Sequence, residues 1–109
     1  MAITYKTLGQ SNPSATTLTT LYTVPSATEA IVSTITVCNQ AATAGTYRIA
    51  VRPDGASIAN QHYIAYDISL PANTTDTLTL GITINATDVI SVYSSSANMS
   101  FNAFGSEIA

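Results

Sequence analysis

Tyr22-Thr-Val-Pro-Ser-Ala-Thr-Glu-Ala-Ile-Val-Ser-Thr-Ile-Thr-Val-Cys-Asn39 is the stretch whose reading decides the fold. Pro25 and Ser26 supply a turn. From Ala30 to Cys38 the chain is mostly β-branched, a composition that suits a pleated surface and not a helix. By period two, Ile31, Ile35 and Val37 fall on one side and Val32, Thr34, Thr36 and Cys38 on the other. Both sides thus carry β-branched residues, which predicts a strand inside a sheet and covered on both faces.

Working outward, Thr16 to Val24 alternates Leu18, Tyr22 and Val24 against Thr17, Thr19, Leu21 and Thr23. Thr46 to Arg52 puts Tyr47, Ile49 and Val51 inward, and Pro53-Asp-Gly55 turns the chain. Ala56 to Gln61 reads equally as a helical turn or a loop. His62 to Leu70 then sets Ile64, Tyr66, Ile68 and Leu70 against Tyr63, Ala65, Asp67 and Ser69. Thr77 to Ile84 directs Leu78, Leu80, Ile82 and Ile84 to the core, with Gly81 marking a bulge. Val89 to Tyr93 and Met99 to Phe104 complete the series. Ile3 and Tyr5 alternate with Thr4 and Lys6 at the start, before Gly9 to Ser14 break the pattern.

Seven or eight short strands, with turn signals at roughly 8 to 12 residue spacing, predict an all-β protein, a single antiparallel β-sandwich. The pattern leaves jelly-roll and immunoglobulin-like connections both open. Residues 1–14 form an N-terminal arm or edge strand with its connector, the part expected to be disordered alone or to dock on a neighbour, and residues 15–109 form the sandwich.

At 109 residues the chain makes one domain that can bury a core without staples. Hydrophobic residues are 46% but charged ones only 8%, where about 25% is usual. The polar surface is therefore built from Ser, Thr, Asn and Gln, which offers little charge repulsion between copies. Disorder does not fit a chain of positive mean hydropathy and net charge −3. Lys6, Arg48 and Arg52 are the only basic residues, too few for a nucleic-acid groove. No apolar run reaches the length of a membrane span, so no membrane partner is expected. The start, Met1-Ala-Ile-Thr-Tyr-Lys6, has neither the basic beginning nor the apolar stretch of a signal peptide. Synthesis in a cytoplasm is expected, with exit by lysis or within a larger particle.

Catalytic equipment is sparse. His62 is the sole imidazole and Cys38 the sole thiol, and no signature around either suggests a dyad; Cys38 reads as a small buried hydrophobe and His62 as structural. One Cys and one His cannot supply a zinc site. Asp54, Asp67, Asp76 and Asp88 are scattered, three of them in or beside turns, where Asp serves its own backbone. No glycine-rich phosphate loop is present. The expectation is a protein that is not an enzyme, with no catalytic residue, no cofactor and no metal. The six tyrosines, Tyr5, Tyr22, Tyr47, Tyr63, Tyr66 and Tyr93, read mainly as core or core-edge residues, with Tyr63 the one to watch.

Three segments together carry a family resemblance: Leu21-Tyr-Thr-Val-Pro25 leading to Val32-Ser-Thr-Ile-Thr-Val-Cys-Asn39; Tyr47-Arg-Ile-Ala-Val-Arg-Pro-Asp-Gly-Ala56; and Thr87-Asp-Val-Ile-Ser-Val-Tyr93 with Phe101-Asn-Ala-Phe-Gly-Ser-Glu107. They span nearly the whole chain, which resembles small virion structural proteins of tailed bacteriophages, especially phages of cyanobacterial and other aquatic bacteria. The resemblance implies a virion protein and first of all a capsid decoration, or cement, protein on the outer shell. It also implies a homo-oligomer, a trimer favoured, whose partner is the major capsid protein or another virion protein. The alternative it implies is a tail or tail-fibre module contacting a host surface glycan or protein. By their place outside the regular strands, the contacts expected are Ile3, Tyr5 and Lys6 in the arm, and Ile58, Asn60, His62 and Tyr63 in the long connection.

Overall fold

The computed structural model describes residues 2–109, so Met1 of the predicted arm lies outside the described residues. Eight strands form: β1 (Ile3–Ser11), β2 (Thr19–Thr23), β3 (Glu29–Asn39), β4 (Gly45–Arg52), β5 (Tyr63–Leu70), β6 (Thr75–Ile84), β7 (Val89–Ser94) and β8 (Met99–Ile108). Two 3-10 turns, Pro53–Gly55 and Asn60–His62, interrupt the connection between β4 and β5. The undecided stretch from Ala56 to Gln61 is therefore a loop running into a 3-10 turn.

The strands make two antiparallel four-stranded sheets, ordered β1-β8-β3-β6 and β2-β7-β4-β5. Successive strands alternate between sheets along most of the chain, and the first strand pairs with the last. This is the two-Greek-key order of a jelly roll, and it excludes the immunoglobulin-like alternative. Ile3–Ser11 is an edge strand of the first sheet, in register with β8 from Ile3 opposite Ile108 to Ser11 opposite Phe101. The core between the sheets holds Leu21, Val24, Val32, Ile35, Val37, Tyr47, Ile49, Leu70, Ile90, Val92, Met99 and Phe101. Among the described residues, no helix is long and apolar enough to cross a membrane.

β3 lies inside its sheet, between β8 and β6, but it is not covered on both faces. Val32 is opposite Gly105 and Thr34 opposite Phe104, so Ser33 is an extra residue, a bulge. The phase slips there: Ala30 and Val32 are buried before it and Ile35, Val37 and Asn39 after it, while Ile31 is exposed and Thr34, Thr36 and Cys38 are only partly covered. Apolar residues of both parities reflect a bulge, and Cys38 sits half-buried outside the core.

The same device corrects β5 and β6. Tyr47 is opposite Ile68 and Ile49 opposite Ala65, leaving an extra residue in β5 near Asp67, whose φ is 50°. Directly opposed residues share a face, so Ile68 and Ala65 turn to the inner side, where Ala65 packs against the core and Ile68, at the open edge, stays 39% exposed. Ile64 and Tyr66, predicted to join Ile68, are left about half exposed. In β6, Leu80 and Gly81 fall between the pairs Val32–Ile82 and Thr34–Thr79. Gly81 takes the left-handed φ of 62° that a bulge of this kind asks for. Leu80, expected in the core, is pushed out and exposed.

The two sides of the sandwich differ. At Gly9, β1 passes so close to β2 that an added Cβ would run into the Leu21 carbonyl oxygen. That side is closed by backbone contact. On the opposite side, β5 and β6 stay apart and leave a gap between the sheets.

Candidate functional site

On the open side, the gap is an apolar slot of about 340 Å³. Ile64, Ile68, Leu78 and Leu80 form its walls, and Tyr47 and Ile49 its floor. The two bulges put Ile64 and Leu80 at its mouth. Its one carboxylate, Asp76, accepts a 2.9 Å hydrogen bond from the Tyr47 hydroxyl. Burial first, then this bond, pushes the Tyr47 phenol well above its ordinary pKa.

A second, largely apolar area lies on the outer face of the first sheet, where Tyr5, Ile31 and Phe104 line a shallow groove with Lys6, Ser33, Gly105 and Ser106. Tyr5 is 82% exposed. Cross-strand pairing explains the grouping, since Tyr5 is opposite Ser106 and Ser106 opposite Ile31.

A third cluster occupies the second sheet. Arg48 lies between the rings of Tyr66 and Tyr93, 4.2 and 4.3 Å from their centroids. Its Nε donates a 2.7 Å hydrogen bond to Asp67, which holds the guanidinium still more firmly protonated. Tyr63 meets Tyr66 edge-on, with centroids 4.9 Å apart and planes at 83°. Tyr63, Tyr66 and Asn60 line a cleft of about 350 Å³.

The residues singled out from the sequence divide between these places. Ile3, Tyr5 and Lys6 are on β1, and Lys6 Nζ is 3.1 Å from Glu107 Oε1. Glu107 also accepts a 2.5 Å bond from the buried Tyr22 hydroxyl. That bond, with the help of Lys6 and against desolvation, holds the Glu107 carboxyl below its usual range. Asn60 and Tyr63 stand together in the aromatic cleft, while Ile58 is exposed on the loop before them. His62 is buried, and its Nδ1 accepts the Ala59 N–H at 3.0 Å, so the ring shapes the turn that presents Asn60 and Tyr63. Sequence reasoning missed Arg48, Tyr66 and Tyr93 as a stack, and Ile64 and Leu80 as exposed residues. Of these only Arg48 held an outward position in the period-two pattern, and the grouping becomes legible once register is known.

Among the described residues, no three His, Cys, Asp or Glu side chains gather around one point. Asp88 accepts backbone N–H bonds from Asp54 and Asn85, both at 2.8 Å, and so ties together two turns. Cys38 lies on β3 in the first sheet, and His62 leads into β5 in the second. No protein-family model, curated protein or solved structure matches the chain.

Proposed function

We propose that the chain is a non-enzymatic structural protein of a phage virion, a capsid decoration protein that binds the outer shell and stabilises contacts between capsomers. The observation that carries this reading is the pair of separate apolar surfaces, the β5–β6 slot and the Tyr5–Ile31–Phe104 face, in a surface with little charge. A cement protein needs two such surfaces, one for its own copies and one for the shell. Exposed apolar groupings of this kind mark interaction sites. Contacts built from apolar and hydroxyl groups hold across changes of salt that screen ion pairs.

The slot serves the neighbouring copy in a closed trimer. The Tyr5 face serves the major capsid protein, or another virion protein, and attachment through several copies multiplies a weak single contact. Deletion of the amino-terminal segment is a poor test, because it would strip β8 of one of its two partners. Single substitutions separate the two roles. Leu80→Ser should convert the trimer to monomer by light scattering. Tyr5→Ser should keep the trimer and lower the number of copies recovered on purified heads. A wild-type chain that is monomeric at every concentration, or labelling found only on the tail by electron microscopy, would sink the proposal.

A further inference from the structure

We infer that the corner formed by Asn60, Tyr63 and Tyr66 is a binding site for a neutral saccharide. This goes beyond the decoration role and does not depend on it. The corner lies on the second sheet and its loop, while the surface proposed for the shell is on the first.

The corner is rigid before any ligand binds. A ring free to turn loses rotamer freedom when a ligand stacks on it, and that loss weakens binding. Here Tyr66 is held in place before any ligand arrives. Arg48 lies over its ring, Tyr93 backs Arg48, and Asp67 anchors the guanidinium by hydrogen bonds of 2.7 and 3.4 Å. Tyr63 is fixed against Tyr66 at 83°, so the two rings make a standing corner. Tyr66 nonetheless keeps 53% of its surface accessible.

The polar groups at the corner are uncommitted. Asn60 is exposed, and its amide and the two phenol hydroxyls take no hydrogen bond among the described residues. Together they offer donors and acceptors, with no ionised group among them. Arg48, stacked on Tyr66, is matched by Asp67, and none of the three residues that line the corner carries a charge to recruit a phosphate or a carboxylate.

An apolar face beside neutral donors and acceptors fits a ring with a C–H face and a girdle of hydroxyls. A pyranose has that build. The free edge of β5 is broken at the corner by extra residues near Asp67 and between the pairs Ile49–Ala65 and Ala50–Tyr63, which disfavours pairing with a peptide strand. The corner has no deep pocket for a peptide side chain, and an apolar ligand would leave the amide and phenols unpaired at a cost. The cleft of about 350 Å³ is at the small end of ligand sites, enough for one or two sugar units.

The test is a titration of the intact chain with neutral methyl glycosides and trisaccharides of glucose, galactose, mannose and N-acetylglucosamine. Ring and amide NMR signals provide the readout. Binding is expected near the millimolar range typical of one shallow site, with shifts confined to Asn60, Tyr63, Tyr66 and their neighbours. Tyr66→Ala should weaken it roughly tenfold, the order of one stacking contact. Asn60→Ala, an exposed position with little bearing on folding, should weaken it about fivefold, the order of one hydrogen bond. Tyr5→Ser should leave it unchanged. The inference is overturned if no sugar in the panel moves these signals at about 10 mM. It is equally overturned if Asn60→Ala and Tyr66→Ala, both shown folded by their spectra, bind as the wild type does. Loss of binding in Tyr5→Ser would place the site elsewhere and overturn it too.

Discussion

Tyr47 and Asp76 belong to different sheets, and the phenol of the first donates its 2.9 Å hydrogen bond across the gap to the carboxylate of the second. Tyr22 and Glu107 do the same near the opposite side, at 2.5 Å. Each side of the sandwich thus has one tyrosine strut between its layers.

Tyr47→Phe keeps the ring and its edge contact with Phe101 but removes the strut. Because Asp76 is partly open to water, it regains solvation, and the loss of stability is expected to be about 1 kcal/mol. Tyr47→Ala also opens a core cavity and should cost about 3–5 kcal/mol. Denaturant unfolding of the two variants measures the difference, and equal losses would assign the residue's whole value to the hydrogen bond.

Acid should weaken the fold through Glu107. Its carboxyl titrates lower in the folded chain than in the unfolded one, so its contribution is fully present above the unfolded value of about 4.3. That contribution is lost as pH falls below it and through the folded value. Thermal unfolding followed downward from about pH 6 should show a fall in Tm that Glu107→Gln flattens. An identical slope in the variant would remove Glu107 from the account.

Alkali should act through the two struts. Tyr22 and Tyr47 keep their protons in the folded state where the unfolded chain gives them up. Stability is therefore intact below about pH 10, the phenol's ordinary value, and declines as pH rises beyond it. In an ultraviolet titration, the absorbance of these two phenolates should appear only together with unfolding. Tyr22→Phe should remove part of that coupled change.

Asn39 is buried at the end of β3. Its amide nitrogen lies within 3.2 Å of the carbonyls of Thr43, Leu70 and Pro71, and its Oδ1 accepts the Ala41 N–H at 3.0 Å. Asn39→Ala strands these groups and is expected to cost about 2–3 kcal/mol. Asn39→Asp keeps the acceptor alone and should be no better. A loss below about 0.5 kcal/mol in chemical denaturation, the range of a surface change, would show that the two loops hold without it.

How far the sequence was legible turns on the bulges. Strand positions, the turn at Pro53–Gly55 and the antiparallel sandwich follow from β-branched runs and turn residues, all local signals. Facing does not. A single extra residue inverts every side chain beyond it, as at Ser33 and near Asp67, whereas across Gly81 Leu78 and Ile82 keep the same facing and Leu80 alone is displaced. Only Gly81 announces itself by type. Ser33 and Asp67 are ordinary strand-exterior residues, so Ile64, Tyr66 and Leu80 were assigned to the core that the bulges deny them. The Arg48 stack was hidden for a different reason, since it joins β4, β5 and β7 by cross-strand register, which no spacing along the chain records.

The crowding at Gly9 gives the molecule a bound spine, because β1 and β2 cannot part there without breaking a close backbone approach between the sheets. The β5–β6 edge is the fore-edge of the same book. Local opening should begin at that fore-edge, with β5 and β6 amides exchanging their hydrogens before those of β8 and β7. A neighbour seated in the slot would act as a clasp, and the isolated chain would breathe most where the assembled one is shut.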